Sequence, residues 1–228
     1  MKDAIRLQVA IGCAIGFLAL TLVVSVHPTI AGDHAIGERL LAQPDTIRWD
    51  LAVIVSFLAS GPIVALTGAI AALWTVWRMR RPAAAVAILA APLLAAVIEV
   101  ATKSLVGRAR PVTASLSGES GNGYPSGHVS GFAALAVALL VVWVLDRPAT
   151  TSAERRVAVL LVGVMIAVVA WSRVALGAHY ATDTVGAALL GISIGTFCPW
   201  ISDRAWDRWH GNRSSAVLPS AEPRLNRR

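Results

Sequence analysis

The sequence predicts an all-α integral membrane bundle of six transmembrane helices. Its 228 residues are 56% hydrophobic and only 14% charged, and their mean hydropathy of +0.67 is too high for a soluble domain that must clothe its surface in polar groups. The apolar residues also fall in long, nearly uncharged blocks, which reads as one membrane-embedded unit. The same composition excludes disorder, collagen and a disulfide-rich secreted scaffold. The two cysteines, Cys13 and Cys198, lie within apolar stretches without metal-ligand spacing, so neither a disulfide nor a zinc site is expected.

Roughly 20 apolar residues cross a bilayer as a helix, because lipid offers the backbone no partners and a helix satisfies its own. Residues 7–26 carry no charge and form the first span; this core is longer than a signal peptide's usual ~7 to 15 residues, and no small-residue cleavage site follows. Over 31–48, Ile36, Leu40 and Leu41 alternate with Asp33, His34, Glu38 and Arg39, a spacing that suits a short helix on the outer interface or a plain loop. Residues 51–76 are an uncharged second span, 83–102 a third whose one charge is Glu99, and 129–145 an uncharged fourth. The fifth, 157–171, is short, and the sixth, 181–201, carries Asp183 near its start. Residues 1–201 thus form the membrane domain, and 202–228 read as a basic cytoplasmic tail, largely disordered, whose Trp206, Trp209 and arginines can touch anionic lipid.

The net charge of +7 and an isoelectric point near 10.7 indicate basic cytoplasmic loops rather than nucleic-acid binding. With the N-terminus inside, fourteen Lys and Arg residues fall on the inner side and six on the outer. Both termini are therefore expected in the cytoplasm. Trp49, Trp74, Trp77, Trp143, Trp171 and Trp200 stand where spans should meet headgroups.

Titratable residues concentrate at the outer ends of spans three to six. Lys103 closes span three and precedes Gly107, Arg108, Arg110 and Pro111, while Tyr124, Pro125, Ser126, Gly127 and His128 lead into span four. Span five ends at Ser172 and Arg173; His179 precedes span six, with Asp183 four residues on. One helical turn puts His179 and Asp183 on a common face, where the carboxylate can accept the imidazole proton.

A lone interfacial cation commonly snorkels to headgroups, but Lys103, Arg110 and Arg173 beside two histidines call for an anion, and phosphate is the natural one. Ser126 and Gly127, at a helix start, add a hydroxyl and close backbone approach. His179, oriented by Asp183, can serve as nucleophile and His128 as proton donor to the leaving oxygen. Alternatively Ser126 attacks with His128 as base, although there is no G-x-S-x-G elbow and no carboxylate is placed to orient His128. Metal catalysis is disfavoured, since only Glu99, Glu119 and Asp183 are near; no metal and no cofactor are expected. Arg108 is either a further phosphate contact or a headgroup ligand, Glu99 a partner for Lys103 or another base, and 119–123 a lid or a connector.

Lys103-x6-Arg110-Pro111, Pro125-Ser126-Gly127-His128 and Ser172-Arg173-x5-His179-x3-Asp183 resemble all three signature motifs of the type 2 phosphatidic acid phosphatase superfamily, in order. The motifs run over 103–183, and the six-span plan extends the likeness over 1–201. The resemblance implies a metal-independent lipid phosphatase with a phosphohistidine intermediate on His179, Asp183 as its partner, His128 as acid and base, and Lys103, Arg110, Arg173, Ser126 and Gly127 around the phosphate. It further implies work at the outer face of a bacterial inner membrane, with undecaprenyl pyrophosphate the first-choice substrate and phosphatidylglycerophosphate or phosphatidic acid the alternatives. A lipid phosphotransferase would use the same residues. A transporter is disfavoured because no internal repeat is visible. The expected partners are the lipid substrate and the bilayer, with neither nucleic acid nor an obligate protein partner.

Overall fold

In the computed structural model, which describes residues 2–214, six helices are long and apolar enough to cross a membrane: Ala4–Val26, Gly61–Met79, Pro82–Val106, Gly127–Leu145, Ser152–Ala175 and Ala181–Trp206. The first belongs to α1 (Lys2–Val26), and α2 (Ala31–Leu40) realises the short-helix reading of the following segment. The expected second span, 51–76, is not one helix. Instead α3 (Ile47–Leu58) stops, and α4 (Gly61–Met79) restarts after Ser60 with Pro62 in its first turn. Proline lacks an amide hydrogen and clashes with a preceding turn, so the first turn of a helix is where Pro62 costs least. Only α4 is long enough to span; α3 packs against α7 through a face that includes Ala52 and Ser56.

The third span is α5 (Pro82–Val106), and the fourth is α6 (Gly127–Leu140), closed by a π turn over Val141–Leu145. Trp143 in that turn donates its indole N–H to Thr75 Oγ1 at 2.8 Å, tying α6 to α4. Helix α7 (Ser152–Ala175) is longer than 157–171 because a capping box starts it early: the Glu154 N–H donates to Thr151 Oγ1 at 3.2 Å and the Thr151 N–H to Glu154 Oε2 at 2.7 Å. The last helix, α8 (Ala181–Ser214), runs through the expected domain boundary at 201. Of the tail expected over 202–228, residues 215–228 and the side chain of Trp209 lie outside the described residues.

Helix α8 is the axis of the bundle and packs against α1, α5 and α6. Its closest seam is with α6. A Cβ at Gly191 would lie 2.6 Å from the Ser130 carbonyl, and one at Gly195 2.6 Å from that of Ala134, so glycines four apart let the two backbones touch. Gly186 faces Tyr124, whose ring is fully buried, lies nearly parallel to Phe17 of α1 at 6.3 Å, and shares a 3.0 Å hydrogen bond with Thr21. The entry to α6 is thereby fastened to both α1 and α8. At the opposite end Arg6 pairs with Asp146, and Arg81 reaches Asp203 at 3.3 Å, joining α1, α5, α8 and the α6–α7 loop.

Candidate active site

Four helix ends meet at one level: the C-terminal ends of α5 and α7 and the N-terminal ends of α6 and α8. Gly177, with φ 66°, makes the turn out of α7; a Cβ there would lie 2.6 Å from Thr113 Oγ1, which leaves room for glycine alone. The turn returns His179 over the end of α7, where its N–H donates to the Arg173 carbonyl at 3.3 Å. Asp183, in the first turn of α8, accepts the Tyr180 N–H on Oδ2 at 3.0 Å, and the same oxygen lies 3.4 Å from His179 Nδ1. That separation is longer than a good hydrogen bond, so the carboxylate faces the ring without gripping it. On the ring's other side Arg110 Nη1 approaches Nε2 at 3.1 Å. A guanidinium can only donate, so Nε2 presents its lone pair and the ring proton sits on Nδ1, toward Asp183. Burial pushes the His179 pKa down to about 4 despite the opposing pull of Asp183, which leaves the ring neutral at pH 7.

Asp183 is held chiefly by Arg108, a residue that neither sequence reading placed correctly. Arg108 is 2% exposed, and its guanidinium is taken up by protein groups. Its Nη1 donates to Asp183 Oδ1 at 2.5 Å and Thr182 Oγ1 at 2.8 Å, Nη2 to Asp33 Oδ2 at 2.8 Å, and Nε to the Pro28 carbonyl at 2.9 Å. Its plane also stacks on Tyr180, 4.5 Å from the ring centre. Burial alone would lower the Arg108 pKa, but the two carboxylates outweigh it and raise it. Asp33, expected on a surface helix, is thus a buried anchor.

Each of the three proposed phosphate cations has a carboxylate partner here. Lys103 Nζ lies 2.5 Å from Glu99 Oε1. Arg173 bonds the Ser56 hydroxyl and Glu119 Oε1, while its Nε is buried without a partner. Arg110 reaches Glu119 Oε2 at 3.2 Å and donates from Nε to the Ser120 carbonyl at 3.1 Å. Ser126 precedes α6 and donates its N–H to the Asp183 carbonyl at 3.2 Å; its hydroxyl is buried and has no partner. A Cβ at Gly127 would come within 2.9 Å of Glu99 Oε1, so the close approach this glycine allows is to that carboxylate.

A cavity of about 500 Å³ has Lys103, Arg110, Glu119, Gly127, His128 and His179 at its polar end. Its other end is an apolar cleft between α4 and α5, walled by Val64, Ala65, Gly68, Leu89, Leu93 and Ala96. A second cavity of about 410 Å³ opens beside α3 and reaches Glu119, His128 and Arg173 from there. The structure therefore gathers both histidines, Lys103 and Arg110 around one cavity and sets Arg173 on the second, which shares Glu119 and His128 with the first; Asp183 and Ser126 line neither. Sequence reasoning missed Asp33 and Ser56, and no local pattern marks them. Glu119 carried a signal in its glycine-rich surroundings. Among the described residues no cluster of His, Cys, Asp and Glu could hold a metal ion.

This arrangement is that of a membrane-embedded phosphoric ester hydrolase of the lipid phosphatase type. Residues 84–207 match the PAP2 superfamily, and the chain belongs to that superfamily. Its fold is similar to the crystal structure of the first transmembrane PAP2-type phosphatidylglycerolphosphate phosphatase from Bacillus subtilis, with a TM-score of 0.74 at 21% identity over 88% of this chain and 96% of that one. No curated protein matches the chain significantly.

Proposed function

We propose that the protein removes a terminal phosphate from a membrane lipid phosphomonoester or pyrophosphate through a phosphohistidine on His179, with undecaprenyl pyrophosphate as substrate. The observation that carries the chemistry is the neutral, Nε2-lone-pair form of His179 beside Arg110 and on the same cavity as His128 and Lys103, with Arg173 on the adjoining cavity that shares His128 and Glu119. The substrate phosphate takes the guanidinium of Arg110, which frees Nε2 to attack phosphorus. The bond from phosphorus to the lipid oxygen breaks as the N–P bond forms, and protonated His128 delivers its proton to the departing oxygen. His128, now neutral, takes a proton from water as that water attacks phosphorus; the N–P bond breaks and inorganic phosphate leaves. Asp183 stabilises the cationic ring that exists between the two steps, while the arginines and lysine neutralise the equatorial oxygens.

The apolar α4–α5 cleft supports a lipid substrate, because a tail lying there keeps its contact with hydrocarbon while the phosphate reaches the cations. A phosphatidylglycerophosphate is the second reading, favoured by the likeness to the Bacillus subtilis phosphatase. Phosphate release from a panel of these lipids in detergent decides between them: undecaprenyl pyrophosphate should give the highest kcat/KM, and preference for the glycerophosphate would replace it.

Activity should survive EDTA, and vanadate should inhibit by adopting the five-coordinate geometry of the transition state in the cationic cradle. Loss of activity on chelation, restored by magnesium, would reverse the metal-independent assignment. We further infer that the site faces outward in a bacterial inner membrane, with both termini cytoplasmic, on the strength of the Lys and Arg distribution. Ser115 and Ser152 are exposed and lie on opposite sides of α6 in sequence. Singly replaced by cysteine in a background lacking Cys13 and Cys198, Ser115 should react with an impermeant thiol reagent on intact cells and Ser152 should not. The reverse pattern would put the site in the cytoplasm.

A further inference from the structure

Glu119 is the one carboxylate that bridges two of the cradle's arginines from a loop. Its oxygens are divided between Arg173 and Arg110, the arrangement in which two arginines would grasp two phosphate oxygens. Its displacement calls for a movement of that loop. Glu119 follows Gly118 (φ 69°) and precedes Gly121 (φ 75°), and a Cβ would meet nothing at either glycine. Glu99 differs: it is fixed within α5, one turn from Lys103. Burial would raise the Glu119 pKa, but Arg173 and Arg110 outweigh it and keep the group ionised.

We propose that Glu119 is a specificity-determining residue, an internal anion that holds the cradle against singly charged phosphodiester lipids and yields it to a doubly charged phosphate. The proposal rests on the phosphate-binding reading of Arg110 and Arg173. With Glu119 withdrawn, Lys103, Arg110 and Arg173 less Glu99, together with the protonated His128 of the proposed reaction, sum to a charge of +3, enough to hold a monoester dianion or a terminal pyrophosphate. A phosphodiester brings one negative charge, no more than the carboxylate it would displace, and must compete with a group tethered at high effective concentration. The difference matters in a bilayer. Diester phospholipids are the solvent of this site, and a cradle open to any phosphate would be permanently occupied by non-substrate headgroups. Holding Arg110 and Arg173 with a carboxylate also avoids leaving two buried guanidiniums unpaired while no substrate is bound.

The experiment compares the full-length protein with its Glu119→Gln variant, using phosphatidic acid in mixed micelles as the monoester and phosphatidylglycerol as the diester. Micelles carrying equal amounts of a neutral lipid correct for surface dilution. For wild type, phosphatidylglycerol should inhibit no more than the neutral lipid. For Glu119→Gln, KM for phosphatidic acid should fall about tenfold, since a charge-assisted contact no longer has to be broken, and phosphatidylglycerol should become a competitive inhibitor. A Glu119→Asp variant retains the charge and should stay resistant to the diester. If Glu119→Gln is as indifferent to phosphatidylglycerol as wild type with KM unchanged, or if wild type is itself inhibited competitively, the proposal fails. Arg173→Ala tests the underlying reading separately. If it binds phosphatidic acid and vanadate as wild type does, the cradle assignment is wrong; if it loses both while Glu119→Gln shows no new inhibition, the cradle stands and only the role of Glu119 falls.

Discussion

The His179→Ala variant is expected to lose lipid phosphate release by about 10⁴-fold or more while remaining folded, because it removes the imidazole whose Nε2 lone pair meets the cavity beside Arg110. The imidazole is a small part of the packing. Its Nδ1 makes no close hydrogen bond, and the backbone turn that carries it is held by Gly177 and the Arg173 carbonyl. Asp183→Asn should be slowed less in the chemical step, since the neutral amide still occupies the space beside Nδ1 but no longer stabilises the charged ring. Rapid mixing with labelled substrate and acid quench reads the difference. Wild type should trap label on histidine, and His179→Ala should trap none. Label retained at wild-type levels in that variant would remove His179 from the role of nucleophile.

The second large effect is structural. Arg108→Ala leaves the Asp33 and Asp183 side chains, at 1% and 0% exposure, without their shared counter-charge. Breaking a buried ion pair by removing one partner costs about 3–5 kcal/mol, because the remaining charge stays desolvated. For a domain of this length that corresponds to a fall of roughly 6–20 °C in Tm. Arg108→Lys should not rescue it: one ammonium cannot serve Asp33, Asp183, Thr182 and the Pro28 carbonyl, which the planar guanidinium reaches together. Lys103→Ala is the contrast, expected to lose activity with little change in melting, since Lys103 is partly exposed and makes one ion pair. An Arg108→Ala protein melting within about 2 °C of wild type would show that the carboxylates find other partners.

These two residues also show what a sequence can disclose. His179 and Asp183 were legible because they are one turn apart and flanked by motifs at fixed spacings, and the spans carrying them were legible as uninterrupted apolar runs. The break in the second run was written in Ser60-Gly61-Pro62, but hydropathy averaged over a window does not register one proline. Arg108 was misread for a different reason. It is adjacent to Arg110, a proposed phosphate ligand, while its partner Asp33 lies 75 residues away on a helix whose pattern suggested a surface. Charge pairing across such a distance is fixed by packing and leaves no local periodicity. Glu119 stands between these cases: its loop could be identified, but which cations the carboxylate meets depends on how α5, α7 and that loop converge.

The backbone contact between α6 and α8 limits how the site can change over evolutionary time. Helix α6 is entered through Ser126 and begins with Gly127 and His128, α8 begins two residues after His179, and Gly191 and Gly195 bring the α8 backbone against the backbone and the Cβ atoms of Ala133 and Val137 on α6. A methyl group added at either glycine would push the backbones apart and shift the two histidines with them. Divergence is left to the parts that do not set that spacing. The walls of the α4–α5 cleft can be resized to suit a different tail, and the loop bearing Glu119 can be rewritten to suit a different headgroup, each without disturbing the other. Relatives that share this seam should therefore differ in the lipid they accept while keeping the same bond-breaking step.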